Sequence, residues 1–370
     1  MSDSPNPSSR YRLPSLHDKS GLARLGIIGI IVLAVIGSFA YVAGWLSPGS
    51  LTQARMIDEF QHDNGVHPGF RRNHAKGVCI AGSFESNGQG TRLSRAVVFQ
   101  AGRTPVVGRF AIAVGKPDVA DGPQAVRSMA LSFRPPHGEE WRTGMNDIPV
   151  FVVNTPEAFY EQLLASRPDP ATGKPDPAAR KDFLASHPET VRAFQAIAAK
   201  PFSTGFANAS YNSLDAFRFV DPAGVSTPVR WSMVAVEPFE PEKPDQAAAT
   251  DKNYLFDDVI ARIERGPLQW HLIVTIGRPD DPTNDATVAW PEDRERVDVG
   301  TLTIDHIEGE APGNCRDINF DPLVLPSGIA PSDDPLLSAR SGTYSESFTR
   351  REGEKKTPSA VQTPNAGKGS

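Results

Sequence analysis

Between Leu25 and Leu46 the chain carries no charged residue, and Ile, Val, Leu, Gly and Ala dominate the stretch. As a helix it would extend about 33 Å at roughly 1.5 Å per residue, enough to cross the hydrocarbon core of a bilayer. A buried core helix would show a polar face, and this segment has none. A cleavable export signal has a shorter apolar run and an A-x-A-like site, which Ala40-Tyr41-Val42-Ala43-Gly44-Trp45 fits poorly. The segment 25–46 is therefore expected to be an uncleaved transmembrane helix in contact with the lipid bilayer. Arg10, Arg12, Lys19 and Arg24 precede it against Asp3 and Asp18, and Arg55 is the first basic residue after it. That asymmetry predicts a cytoplasmic tail over 1–24 and an external main domain. In a bacterium this is a single-pass inner-membrane protein facing the periplasm, with Tyr41 and Trp45 at the far interface.

The rest of the 370 residues can bury one large core or two modest ones. A net charge of -6, spread along the chain, argues against a nucleic-acid partner. The 34 prolines punctuate the sequence often enough to suit short strands and loops better than a helical bundle. Cys79 and Cys315 lie far apart; a disulfide and a pair of free thiols are both open. No Cys/His cluster has zinc-ligand spacing.

Strand-length apolar or alternating runs occur at 106–114, 129–133, 150–153, 216–220, 229–236, 270–276 and 297–304. Helical patterns intervene at 156–166, 189–200 and 257–264, two of them opened by Pro156 and Pro188. Residues 55–352 read as one domain of the α+β class, a closed antiparallel β-barrel with inserted helices. Surface loops are expected at 167–181 and 237–251, and a disordered tail at 353–370, which has few apolar residues.

Singly, His74, Asn146 and Tyr344 are ordinary residues; in order along the chain they are not. Phe70-Arg71-Arg72-Asn73-His74-Ala75-Lys76-Gly77 resembles the distal-histidine motif of haem catalases. Asn146-Asp147-Ile148-Pro149-Val150-Phe151, with Phe159 beyond, resembles their distal-asparagine motif, and Arg340-Ser341-Gly342-Thr343-Tyr344 their proximal R-x-x-x-Y. Val107-Gly108-Arg109-Phe110, Thr287-Val288-Ala289-Trp290-Pro291 and Asn319 to Ile329 fall between in the family's order. The resemblance implies a barrel of about eight strands and a haem (iron protoporphyrin) cofactor. Tyr344 would be the axial iron ligand.

The implied roles have physical reasons. Ferric iron takes an anionic phenolate, but a free tyrosine titrates near about 10. Arg340, one helical turn earlier, would favour the ionised form. His74 would carry a proton from one peroxide oxygen to the other, leaving a ferryl intermediate, and Asn146 would hold the peroxide. Phe151 and Phe159 would wall the porphyrin, and Arg71, Arg109 and Arg351 would pair its propionates.

Three positions depart from the family pattern. The serine that supports the distal imidazole is replaced by Ala111, the small apolar residue before the histidine by Asn73, and the second asparagine by Asp147. The resemblance ends shortly after Tyr344, before the family's C-terminal helical region, and a membrane anchor stands where the N-terminal arm would be. A less enclosed pocket is expected, open to bulkier peroxides and organic reductants. The resemblance narrows to the catalase-related peroxidases. The expected function is a haem-dependent reduction of organic peroxides, with hydrogen peroxide as a further substrate and a small electron donor as partner; the oligomeric state is left open. The alternatives are a true catalase, a haem enzyme rearranging fatty-acid hydroperoxides, and a non-enzymatic membrane-tethered barrel binding haem or lipid.

Overall fold

The computed structural model of the chain describes residues 19–42, 50–169, 171–242 and 252–363. Contacts define two compact units, Met1–Thr52 and Gln53–Ser370. In the first, α1 (Lys19–Val42) contains a stretch, Gly21–Tyr41, long and apolar enough to cross a membrane. The helix begins before the expected Leu25 and takes in Arg24, because nothing between Lys19 and Leu25 breaks a helix. Residues 1–18 of the expected tail, with Arg10 and Arg12, lie outside the described residues, as do 43–46 with Trp45, 243–251 of the second loop, and 364–370.

The second unit runs α2 (Gln53–Asn64), β1 (Gly77–Ser86), β2 (Gly102–Ile112), β3 (Arg127–Phe133) and β4 (Trp141–Asn146). Then come α3 (Pro156–Ala165), α4 (Pro177–Ser186), α5 (Pro188–Ala198), β5 (Tyr211–Asn212), β6 (Phe217–Val220) and β7 (Ser226–Ala235). It ends with α6 (Tyr254–Arg265), β8 (Leu268–Ile276), β9 (Arg296–Glu308), β10 (Ile329–Pro331) and α7 (Pro335–Glu352). The strands pair antiparallel in the order β7-β5-β4-β3-β2-β1-β9-β8, and β8 pairs back onto β7. Among the described residues this closes an eight-stranded barrel, with β6 and β10 extending it beyond β7.

Alternate side chains of a strand point to opposite faces, so a closed barrel sorts each strand into an inner and an outer set. On β4 the buried residues are Trp141, Thr143 and Met145. The interior is filled rather than hollow. Phe133 stacks on Trp141 at 4.7 Å between centroids, and Trp231 meets Trp141 edge-on at 5.1 Å. Trp231 and Trp270 donate their indole N–H to Thr143 Oγ1 and the Ala209 carbonyl, at 3.1 and 3.0 Å, which spares the core two unsatisfied polar groups.

Several expectations are corrected. Residues 150–153 form no strand: they follow Pro149, and the Phe151 amide donates to the Ala286 carbonyl, in a loop, instead of a strand neighbour. The expected loop 167–181 gives way to α4 at Pro177, where the Asp176 side chain caps the helix by accepting from the Ala178 amide. The expected disordered tail is packed over 353–363: Val361 is fully buried in the core, and Thr363 Oγ1 accepts from the Gly309 amide. One apolar residue placed over a core gap outweighs a polar composition.

Cys79 on β1 and Cys315 form a disulfide across a sequence separation of 236. It ties a barrel strand to the segment 315–318, whose carbonyls hold two arginines described below. In the chain-entropy account a loop of that length is worth about 5.5 kcal/mol, and typical measured values are about 2–4 kcal/mol. Replacing both cysteines by alanine is expected to lower unfolding free energy by about 2–4 kcal/mol, read from the urea midpoint in detergent. A midpoint equal to the parent's would show that the bridge does not constrain the unfolded chain.

Candidate active site

The register of three strands builds one wall. Ala111 on β2 pairs with Ser128 on β3, and Ser128 with Asn146 on β4. The adjacent row is Arg109, Ala130 and Gly144. Directly paired residues share a face, so both rows lie together on the outside of the barrel. Small side chains keep that face shallow. Across it stands α7, started by Pro335 and by Asp334, whose side chain accepts from the Leu336 amide. Arg340, Tyr344, Ser347 and Arg351 follow at helical spacing along one side of α7 and line the same cavity. An ideal Cβ on Gly144 would lie 3.9 Å from the Tyr344 hydroxyl and 3.8 Å from Arg340 Nη2. A larger side chain at 144 would fill the gap in front of the phenol.

All nine residues singled out from the sequence line this one cavity of about 360 Å³: His74, Asn146, Arg71, Arg109, Phe151, Phe159, Arg340, Tyr344 and Arg351. His74 enters from the loop before β1 with φ of 55°, a left-handed conformation that costs a non-glycine residue of order 1–3 kcal/mol. The Asn73 side chain supports it, Oδ1 accepting from the His74 amide at 2.9 Å. So Asn73, a departure from the family pattern, holds the backbone turn. Gly77 is obligatory for a different reason: a Cβ there would come within 2.5 Å of the Arg109 guanidinium and the Phe110 carbonyl. Phe151 and Phe159 pack on each other at 5.7 Å between centroids. Lys76, in the same motif, is structural, fully buried with Nζ 2.6 Å from Asp121 Oδ1.

The electrostatics divide the cavity into three regions. In the first, Arg109 donates to both oxygens of buried Glu310, at 2.6 and 3.0 Å, and Arg71 donates to the same carboxylate at 3.1 Å. Arg71 also donates to the carbonyls of Cys315 and Ile318, and Arg351 to that of Arg316. Burial, then repulsion from Arg109 and Arg351, push Arg71 well below the usual guanidinium range. Burial and Arg109 lower Arg351 to about 10. Burial opposes the charge of Glu310, but Arg109 and Arg71 outweigh it and keep its carboxyl below the usual range. Two arginines thus share one carboxylate at hydrogen-bonding distance with Arg351 nearby, a surplus of buried positive charge that fits an anionic ligand carrying carboxylates.

The second region is the α7 wall. Arg340 Cζ lies 5.9 Å from the centroid of the Tyr344 ring, close enough for the phenol to act on its charge. Its other partner is the buried carboxylate of Asp215, to which Nη1 donates. Burial opposes its charge, but Asp215 and Tyr344 more than offset this and raise its pKa. The guanidinium is therefore a fixed positive charge beside the phenol oxygen. The third region is the barrel wall, where Ser128 Oγ stands 3.1 Å from His74 Nδ1 and 2.5 Å from Asn146 Oδ1. Burial, followed by Arg109, Arg340 and Arg71, lowers His74 from 6.5 to about 3. The imidazole is neutral at physiological pH and able to accept a proton.

Ser128, Gly144, Asp215 and Glu310 are site residues that sequence reasoning missed. The pattern Arg127-Ser128-Met129-Ala130-Leu131-Ser132-Phe133, small and large in alternation, carried a signal for the first. Nothing local marked Asp215, which reaches the cavity from a distant segment, or Glu310, which holds two of its arginines from behind. Of the three departures, Ala111 does lack a hydroxyl, but its strand partner provides one.

The cavity sets an imidazole and an amide on the barrel wall and a phenol beside a guanidinium on the α7 wall, and the relatives of this chain make it an oxidoreductase that acts on peroxide. The sequence model of the catalase family matches residues 40–367, and the chain belongs to that family. It is 35% identical over 324 residues to a catalase-related peroxidase of Synechococcus elongatus, covering 88% of this chain and 96% of the relative. With a catalase-related peroxidase of Mycolicibacterium paratuberculosis it shares 32% identity over 306 residues, 82% and 96% of the two chains. A fungal catalase superposes with a TM-score of 0.69 at 21% identity, covering 80% of this chain; a bacterial catalase gives 0.68 at 22% and covers 82%. The chain spans 62% of the length of each of these two catalases, and the likeness to them concerns the fold.

Asp147, beside Asn146, yields a pH-dependent prediction. Its side chain is buried, Oδ1 accepting from the Arg127 amide at 2.9 Å, while Oδ2 lies 3.6 Å from Arg127 Nη1 and has no hydrogen-bond partner among the described residues. Burial prevails over nearby Arg127 and raises its pKa from 3.8 to about 7. Between those values the folded state holds more protons than the unfolded one, so this group's contribution to stability falls as pH rises through the window. Asp147→Asn cannot ionise. Its Tm relative to the parent is expected to improve progressively from pH 5 to pH 8, and a difference independent of pH would refute the assignment.

Proposed function

We propose that the chain is a haem-dependent peroxidase acting on organic peroxides, with hydrogen peroxide as a further substrate and a small electron donor as reductant. The observation that carries this reading is the single cavity holding the His74–Ser128–Asn146 row on one wall and Tyr344 with Arg340 on the other. Tyr344 is the residue to bind the iron, and Arg340 favours its phenolate. Arg71, Arg109 and Arg351 would pair with the propionates, whose charge would answer the surplus around Glu310. Bound haem supplies the redox chemistry of peroxide cleavage.

The chain's own residues do the proton work. Neutral His74 accepts the proton of a bound hydroperoxide. An imidazole held so far below its ordinary pKa gives the proton up readily, here to the departing oxygen, which leaves as water or an alcohol. Carboxylates held by Arg71 and Arg109 would relax part of that depression. The Asn146 amide holds the peroxide in place, and Phe151 and Phe159 exclude water. The apolar α1, the disulfide and the basic excess ahead of α1 support an inner-membrane protein with this domain in the periplasm.

A second hollow beside the first supports bulky substrates. It shares Phe60, Asn73, Ala113 and Phe159 with the main cavity. Ala113 is small and stands where the two meet, so an alkyl group attached to the peroxide has room beside His74.

Two experiments test the proposal. Purified protein reconstituted with haem is expected to give a high-spin ferric absorption spectrum with phenolate character, which Tyr344→Phe removes or strongly alters; protein that takes up no haem would end this reading. Ala113→Phe is expected to lower kcat/KM for cumene hydroperoxide at least about tenfold more than for hydrogen peroxide. Equal losses would remove the support for organic substrates.

A further inference from the structure

The hydroxyl of Ser128 lies between the two side chains that would handle the peroxide. Its Oγ is 2.5 Å from Asn146 Oδ1 and 3.1 Å from His74 Nδ1. A hydroxyl carries one proton and can accept in return. The carboxamide oxygen is only an acceptor, so the contact at 2.5 Å requires the serine proton to point at Asn146. The remaining lone pairs of Oγ then face His74 Nδ1, and the contact there requires Nδ1 to carry the hydrogen. Two bonds running in one sense, from Nδ1–H to Oγ and from Oγ–H to Oδ1, fix the state of both partners. Nε2 is left unprotonated, and the Asn146 NH2 group keeps its donors for a ligand.

The strand register explains how this serine comes to be there. Ser128 is the direct partner of Ala111 on β2 and of Asn146 on β4. Position 111, where the family resemblance led us to expect a serine, has only a methyl group. Paired residues on neighbouring strands have Cβ atoms roughly 5 Å apart, so a hydroxyl on β3 can reach an imidazole that one on β2 would otherwise support. The support has crossed one strand.

We infer that Ser128 is the positioning residue of the distal site, selecting the Nε2-basic tautomer of His74 and at the same time orienting the Asn146 amide. The inference rests on the proposed roles of His74 and Asn146. It departs from the expectation drawn from Ala111: the histidine does not lack a supporting hydroxyl. One residue also serves both partners, so their geometries are not independent.

The test uses full-length haem-loaded protein in detergent with cumene hydroperoxide and a chromogenic donor. Ser128→Ala is expected to lower kcat about ten- to a hundredfold, as loss of an outer hydrogen-bond partner typically does, with KM and haem content near the parent's. Adding Ala111→Ser to that variant is expected to restore most of the lost kcat, an outcome that repaired packing would not produce. The pair Ser128→Thr and Ser128→Val guards against misfolding, since the two are similar in shape and only threonine retains the hydroxyl; threonine is expected active and valine impaired. If His74→Ala is inactive while Ser128→Ala and Ser128→Val both keep the parental kcat, the assignment of Ser128 is overturned and the peroxidase reading stands. If His74→Ala itself turns over as fast as the parent, the peroxidase reading fails and takes this inference with it.

Discussion

Closure of the barrel by the pairing of β7 with β8 is the constraint on which the other features depend. Once the strands are closed, each has an inside that must be filled and an outside that is free for other uses. Phe84, Phe133, Trp141, Trp231 and Trp270 occupy the inside and are essentially without solvent exposure. Their bulk leaves no room for a ligand within the barrel. Chemistry is displaced to the outer face of β2, β3 and β4, where Ala111, Ala130 and Gly144 present little more than backbone. The aromatic core and the ligand cavity are two faces of the same strands. A one-residue slip in register would exchange them.

Charge makes the second division. Arg71, Arg109 and Arg351 meet at one end of the cavity around Glu310, while Arg340 is held at α7 between Asp215 and Tyr344. Neighbouring guanidinium groups repel, and their mutual proximity costs stability unless anions lie among them. Burial, and then the same field, keep His74 neutral. The guanidinium cluster at one end and the imidazole at the other are thus coupled by electrostatics.

How much of this could be read in the sequence follows from how far each interaction reaches. The apolar α1, the strand alternation of β2, β3, β7, β8 and β9, and the proline-initiated α3 and α5 are local and were legible. The resemblance carried the nine cavity residues, which no periodicity would have assembled. What escaped were contacts made by register and by distant segments. The hydroxyl missing at 111 could be noted, yet its replacement at 128 needs the pairing of β2 with β3. Glu310, Asp215 and the burial of Val361 depend on where long connections land. Residues 150–153 read as a strand because apolar runs do not reveal whether a neighbouring strand is there to bond with.

Gly77 carries a last implication. Its importance lies in the space it leaves, since an added methyl would collide with both a guanidinium and a backbone carbonyl. In a deep mutational scan, position 77 would stand out as intolerant to substitution, although it does not line the cavity. Ranked by sensitivity alone, it would be mistaken for part of the chemistry. The arginine behind it explains why it is not.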